Sequence, residues 1–185
     1  MEKFDGFKAE QTLWNEPLPA GGYVAQIFGA KEETYDWGNV LVISFDIAEG
    51  KYAGYFNDLY KNTDRDDKKW KGHYRLTVPK EGSQYFESNR RIFNNAIWAI
   101  EESNSGYHWD WNEAGLKGKF IGVLFRNREW EYNGSTGWTT ECGAVTSVEK
   151  IRTGDYRVPK DKPLKKVDAP ADNFTPLATD EDLPF

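Results

Sequence analysis

Apolar positions fall along this chain in short runs that mostly carry strand character. Gly21-Gly22 opens the run Tyr23-Val24-Ala25-Gln26-Ile27-Phe28. Glu32 to Trp37 is polar and turn-like, closed by Gly38. Val40 to Ile47 is β-branched and aromatic, dense enough for a buried strand. Ala48-Glu49-Gly50-Lys51 reads as a hairpin turn, Tyr55 to Lys61 as a third extended segment, and His73 to Val78 as a further strand. The charged stretch from Asp64 to Lys71 lies between them as a loop.

After Pro79 the period changes. Phe86, Ile92 or Phe93, Ala96-Ile97 and Ile100 recur at steps of three and four. That spacing predicts an amphipathic helix of roughly 15–20 residues, ending before Ser103-Asn104-Ser105-Gly106. Strand character returns from Lys119 to Arg128. Asn133-Gly134 is a short hairpin signal, with a partner strand from Thr136 to Val148 or Ile151. The order predicts a mainly β protein with one helix between strands 3 and 4. A five-stranded Greek-key barrel of the OB type has this order, and such barrels bind oligonucleotides or oligosaccharides. Other α+β barrels can present the same string.

The expected organisation is an N-terminal arm (1–20), a barrel domain (21–156), a flexible Lys/Pro-rich linker (157–179) and an acidic tip (180–185). Pro159, Pro163, Pro170 and Pro176 break the linker. The chain has 185 residues, which suits one core domain plus a tail. No apolar run approaches the ~20 residues of a membrane span, and Met1 to Gly6 has no secretory pattern. The single Cys142 excludes an intrachain disulfide and fits a reducing cytoplasm.

Net charge is −6, which taken alone counts against nucleic acid. Its distribution reverses that inference. From Asp168 onward there are five acids and no Lys or Arg, so residues 1–167 carry a net charge of only −1. Basic and aromatic residues interleave in two places. The first holds Tyr55, Phe56, Tyr60, Lys61, Arg65, Lys68, Lys69, Trp70, Lys71, Tyr74 and Arg75. The second holds Arg126, Arg128, Trp130 and Tyr132, with Trp138 across the turn. Steps of two put Arg126, Arg128, Trp130 and Tyr132 on one face of a strand, with Ile121, Val123, Phe125 and Asn127 on the other. Cations along a groove and flat rings for unpaired bases are what single strands require. Trp37 joins the candidates from the first hairpin. Trp109 and Trp111 read equally as a clamp or as a plug anchoring their loop. Tyr23, Phe28, Phe45, Phe86, Phe93 and Trp98 are expected in the core.

Catalytic chemistry finds little support in these residues. His73 has no carboxylate at ligand spacing, and His108-Trp109-Asp110 offers too few ligands to close a metal site. Cys142 has no nearby His. Gly115-Leu116-Lys117-Gly118-Lys119 lacks the spacing and the hydroxyl of a phosphate-cradling loop. No enzyme activity, metal or cofactor is expected.

The final residues, Asp180-Glu181-Asp182-Leu183-Pro184-Phe185, put three acids before a short apolar hook and a terminal carboxylate. So small a segment cannot bury itself, and ordering it needs a partner's pocket and basic residues. This tip resembles the C-terminal end of bacterial single-stranded-DNA-binding proteins. Lys3 to Lys8 and Trp14 to Gly21 look similar to the phage- and mobile-element-borne kind. The resemblance implies sequence-tolerant binding and protection of single-stranded DNA in replication and recombination. It also implies that Asp180 to Phe185 recruits replication, recombination or repair enzymes. The short Lys/Pro-rich linker departs from the family's long Gly/Gln/Pro-rich one, so the family's oligomeric state does not transfer. Two other functional classes stay open: an aromatic-rich carbohydrate-binding barrel, and a structural phage or conjugation protein.

Overall fold

A computed structural model of the chain describes residues 16–164. The N-terminal residues 1–15 and the whole acidic tip, Asp180 to Phe185, lie outside the described residues. Five strands form one antiparallel sheet: β1 (Gly21–Tyr35), β2 (Gly38–Ile47), β3 (His73–Thr77), β4 (Phe120–Tyr132) and β5 (Ser135–Thr146). Their order is β3-β2-β1-β4-β5. Three helices decorate the sheet, α1 (Tyr55–Asn62), α2 (Phe86–Ser103) and α3 (Val148–Thr153), with a 3-10 turn at Glu113–Leu116. The expected mainly β architecture, with a helix between the third and fourth strands, is what forms. The sheet is open.

Strand β1 is the centre of the sheet. Gly21–Gln26 pairs with β4, and Ala25–Tyr35 pairs with β2. The β1–β2 register shifts between Ile27 and Gly29, where Phe28 is bulged. Ala25 and Ile27 face the core, so alternation puts Phe28 on the other face, 44% exposed, where it packs edge-on against Trp70 at 4.7 Å. Phe28 is therefore not the core residue its run predicts. Residues Glu32 to Tyr35 are not a turn either. They extend β1 to within two residues of β2, and only Asp36-Trp37 turns the chain.

The core lies on the concave side. Ala25, Ile27, Ile43, Phe45, Leu76, Ile121, Val123 and Phe125 supply it from the strands. Helix α2 closes it with Phe93, Ala96, Ile97 and Ile100, the three- and four-residue spacing of one helical face. Asn104 ends α2 and starts β4. Its Nδ2 donates to the carbonyls of Ile100 (2.7 Å) and Phe120 (2.8 Å), and its Oδ1 accepts from Phe120 N–H (2.9 Å). Trp98, on the other side of α2, is exposed beneath Lys150 of α3, and Phe86 is half-buried.

Tyr55 to Lys61 is helical, not extended. Its aromatic composition imitates a strand, but two features outside the segment decide the matter. Gly54 adopts a left-handed conformation at the helix start (φ 78°). Asp46 of β2 then accepts the N–H groups of Phe56 (2.9 Å) and Asn57 (3.0 Å) at the exposed N-terminus of α1. The Ala48 to Lys51 bend therefore leads into a helix rather than a tight hairpin. The β4–β5 hairpin turns at Asn133-Gly134 as expected, both residues at positive φ.

The stretch beginning at residue 157, expected to be linker, is partly held to the domain. Lys162 bridges Arg128 in a parallel sense on the free edge of β4. Lys162 N–H donates to Asn127 O (2.9 Å), and Glu129 N–H donates to Lys162 O (3.0 Å). The end of the N-terminal arm is likewise built in, since Leu18 is a core residue.

Two substitutions test these supports. Asp46→Ala removes the acceptor at α1 and is expected to cost about 1–2 kcal/mol in urea unfolding. At Gly72, a Cβ would meet the Phe45 carbonyl and the Phe56 ring. Gly72→Ala is expected to cost about 1–3 kcal/mol in the same assay.

Candidate nucleic-acid interface

The two edge strands, β3 and β5, approach each other across the open side of the sheet without a connecting ladder. A groove of about 850 Å³ runs between them. Lys71, His73 and Arg75 line one wall, and Arg126 and Arg128 line the other with Thr139 to Ala144. Leu18, Tyr55, Tyr74 and Phe125 form its apolar base. The arm is fixed there by its carbonyls. Thr140 Oγ1 donates to Leu18 O (2.6 Å), and Tyr55 Oη donates to Glu16 O (2.6 Å).

The groove continues past Thr77 and Asn89 into a second cavity of about 490 Å³, lined by Trp37, Lys80 and Tyr85. Gln84 joins that cavity to a shallower one carrying Arg90 and Arg91. Trp37, 61% exposed, stacks on Tyr35 with ring centroids 5.3 Å apart and planes 10° from parallel. Arg75 completes the stack from β3. Its guanidinium lies over Tyr35 (5.7 Å), and its Nη2 bonds Tyr35 Oη (2.6 Å) and Glu33 Oε2 (2.9 Å). An exposed indole is thus held flat by a ring and a cation beneath it.

Charge in the groove is positive on balance. Glu141 lies among three cations: Arg126 Nη2 at 2.8 Å, Arg128 Nε at 3.3 Å and Lys162 Nζ at 3.5 Å. One carboxylate cannot neutralise three, so cationic capacity is left for a phosphate. Burial, followed by the nearby Arg75, pushes the His73 pKa down, so His73 is neutral at pH 7. Burial pushes the Cys142 thiol up to about 12, far from a reactive thiolate. Among the described residues no group of three His, Cys, Asp or Glu is placed to hold a metal ion. No described helix is long and apolar enough to cross a membrane.

The predicted residues divide. Lys71, Arg75, Arg126 and Arg128 meet in the groove, and Trp37 lies at its continuation. Tyr55 and Tyr74 are buried beneath it, so their faces are not open for stacking. Burial raises the Tyr74 pKa to about 12. Trp70 is half-buried and structural, its Nε1 donating to Gly72 O (2.8 Å) and Phe45 O (3.1 Å). Tyr60 is exposed beside it with Lys68 over its ring (4.8 Å). Lys61 in the last turn of α1, and Arg65 and Lys69 on the loop after it, are exposed and outside the groove lining. Arg65 there pairs with Asp67. Trp130 and Tyr132 share the Arg126–Arg128 face toward the hairpin tip, Trp130 lying over Gly137. Trp138 pairs with Glu129 and so points to the opposite face of the hairpin from Trp130.

Tyr35, Lys80, Tyr85, Arg90 and Arg91 were not among the sequence candidates. Tyr35 could have been found by reading Glu32 to Tyr35 as strand, which puts it two residues from Trp37 at a hairpin tip. Tyr85 and the two arginines carry no such local signal, because their neighbours come from distant segments. Compared with known proteins, the chain matches no family model, and no curated protein matches its sequence.

Hydrogen bonds from Lys31, Tyr35 and Arg75 hold the Glu33 carboxyl at about 2, well below its ordinary 4.5. A lowered carboxylate supports the fold above its unfolded value and loses that support as pH falls through the folded one. The Trp37–Tyr35–Arg75 stack is therefore expected to persist to about pH 4.5 and to loosen between there and about 2. The Trp37 indole resonance followed through an acid titration checks this, and Glu33→Gln is expected to remove that step.

Proposed function

We propose that this protein binds single-stranded DNA with little sequence preference. The observation that carries the proposal is the continuity of the groove. Lys71, Arg75, Arg126 and Arg128 line its walls, and it runs on to the exposed rings of Trp37 and Tyr85. Cations there replace the counterions condensed on the phosphates, and the rings accept unpaired bases whatever their identity. On this proposal the curled sheet is an open OB-like barrel, with the β3–β5 side as the binding cleft. Coating in this way would keep a strand unpaired and shield it from nucleases during replication or recombination. The acidic tip, Asp180-Glu181-Asp182-Leu183-Pro184-Phe185, would dock on partner enzymes through Phe185, with their basic residues taking the acids.

The test is Trp fluorescence during titration with oligothymidine at several salt concentrations. Quenching at low salt that weakens steeply as salt rises is the expected result. The double variant Lys71→Ala, Arg128→Ala is expected to lower the log–log salt slope by about 1.4, or ~0.7 per lost phosphate contact. Trp37→Ala is expected to cost about 1–3 kcal/mol of binding at any salt. Quenching by oligosaccharide that ignores salt would replace the proposal with carbohydrate binding, and no quenching by either would sink both.

The tip also bears on affinity. Its acids compete for the basic groove when DNA is absent. Deleting residues 178–185 is expected to tighten DNA binding at low salt and to abolish capture of partner enzymes. Unchanged DNA affinity would rule out the competition.

A further inference from the structure

A smaller, separate pocket lies where the loop after α2 folds back over the sheet. Phe93, Trp109 and Trp111 wall it, the buried Leu41 and the half-buried Val78 form its inner side, and Glu32 and Glu113 stand at it. Its volume is about 80 Å³, room for one side-chain head group and not for a nucleobase. Among the described residues neither Glu32 nor Glu113 forms an ion pair.

Trp111 is the unusual member. It is 69% exposed, and its backbone sits at φ +65°, a region costly for a bulky residue. Neighbouring turns hold it there. Asp110 Oδ1 accepts from Asn112 N–H (3.1 Å), and Asn112 Oδ1 accepts from Ala114 N–H (3.1 Å). On the other side, Glu101 Oε1 accepts from Trp109 N–H (2.8 Å), tying the loop to α2. The indole is displayed nearly parallel to Phe93, centroids 5.6 Å apart and planes 13° from parallel, with Trp109 tilted beside it at 6.1 Å. A ring needed only to cover Phe93 would gain more from burial than from display at a strained position.

We propose that this pocket receives the guanidinium of an arginine on a partner protein. Aromatic faces attract a cation through their quadrupole, and a planar guanidinium stacks on indole as a compact ammonium does not. The two carboxylates supply the opposite charge and accept its N–H donors. The same carboxylates repel phosphate, which separates this pocket from the basic groove although the two adjoin at Val78. The inference does not depend on the nucleic-acid reading.

The test uses the full chain, ¹⁵N-labelled, with the indole N–H signals of Trp109 and Trp111 assigned by Phe substitution. Two peptides are titrated at low salt: acetyl-Gly-Arg-Gly-amide and its citrulline counterpart, which keeps the shape and lacks the charge. The expected result is a saturable shift of both signals by the arginine peptide, with the citrulline peptide weaker by roughly fivefold or more. Glu113→Gln and Glu32→Gln are each expected to weaken the arginine response while the Trp130 and Trp138 signals stay in place. Equal responses to the two peptides would overturn the proposal. So would the absence of any shift at Trp109 and Trp111 while the other indole signals report a folded protein.

Discussion

Everything in this molecule hangs on the pairing of β1 with two partners at once. Ala25 and Gln26 are bonded to β2 on one side and to β4 on the other. Because side chains alternate along a strand, a one-residue slip on either side would exchange the core and solvent faces. The bulge at Phe28 bends β1 just beyond the residues that pair with both neighbours. The sheet curls around that bend, and its last strands are carried toward each other. The groove is what remains between two edges that come close and do not pair.

Such edges are usually a liability, because unpaired N–H and C=O groups invite other chains. Here they are managed by charge and by filling. Arg126, Arg128 and Arg75 stand along the opening, and Leu18 plugs its base, held by Thr140 on the Leu18 carbonyl and by Tyr55 on the Glu16 carbonyl. The same arrangement that discourages sheet-to-sheet association presents a row of cations above an apolar base. Stability and the candidate site draw on one set of residues. Glu141 holds Arg126 and Arg128, and Glu33 holds Arg75, so the positions of all three are set within the protein itself.

Much of this was legible from local pattern. The period of α2, the Asn133-Gly134 turn and the alternation of Arg126, Arg128, Trp130 and Tyr132 against Val123 and Phe125 all depend on near neighbours, and all appear as expected. The misreadings share a different cause. Tyr55 to Lys61 looks extended because its aromatics are strand formers, yet Asp46, nine residues before Tyr55, caps it as a helix. Tyr55 and Tyr74 sit among basic residues in sequence and under them in space. Phe28 belongs to an apolar run but follows Ile27, and alternation gives the core side to Ile27. Within the site, Lys71 with Arg75 and Arg126 with Arg128 were readable, and the aromatic continuation through Tyr35 and Tyr85 was not, since it is assembled from segments about 50 residues apart in sequence.

The short contact between residues 161–164 and the edge of β4 fixes the point from which the C-terminal tail departs. Lys162 is anchored beside Arg128, and 21 residues follow Leu164, the last one described. Even fully drawn out, a chain of that length spans only about 70 Å. On the proposed function, an enzyme docked on Phe185 would stay within that distance of a bound strand. Its encounter with the strand would then be intramolecular, at a local concentration on the order of millimolar rather than at its abundance in solution. Two backbone hydrogen bonds at Lys162 would set where that reach begins.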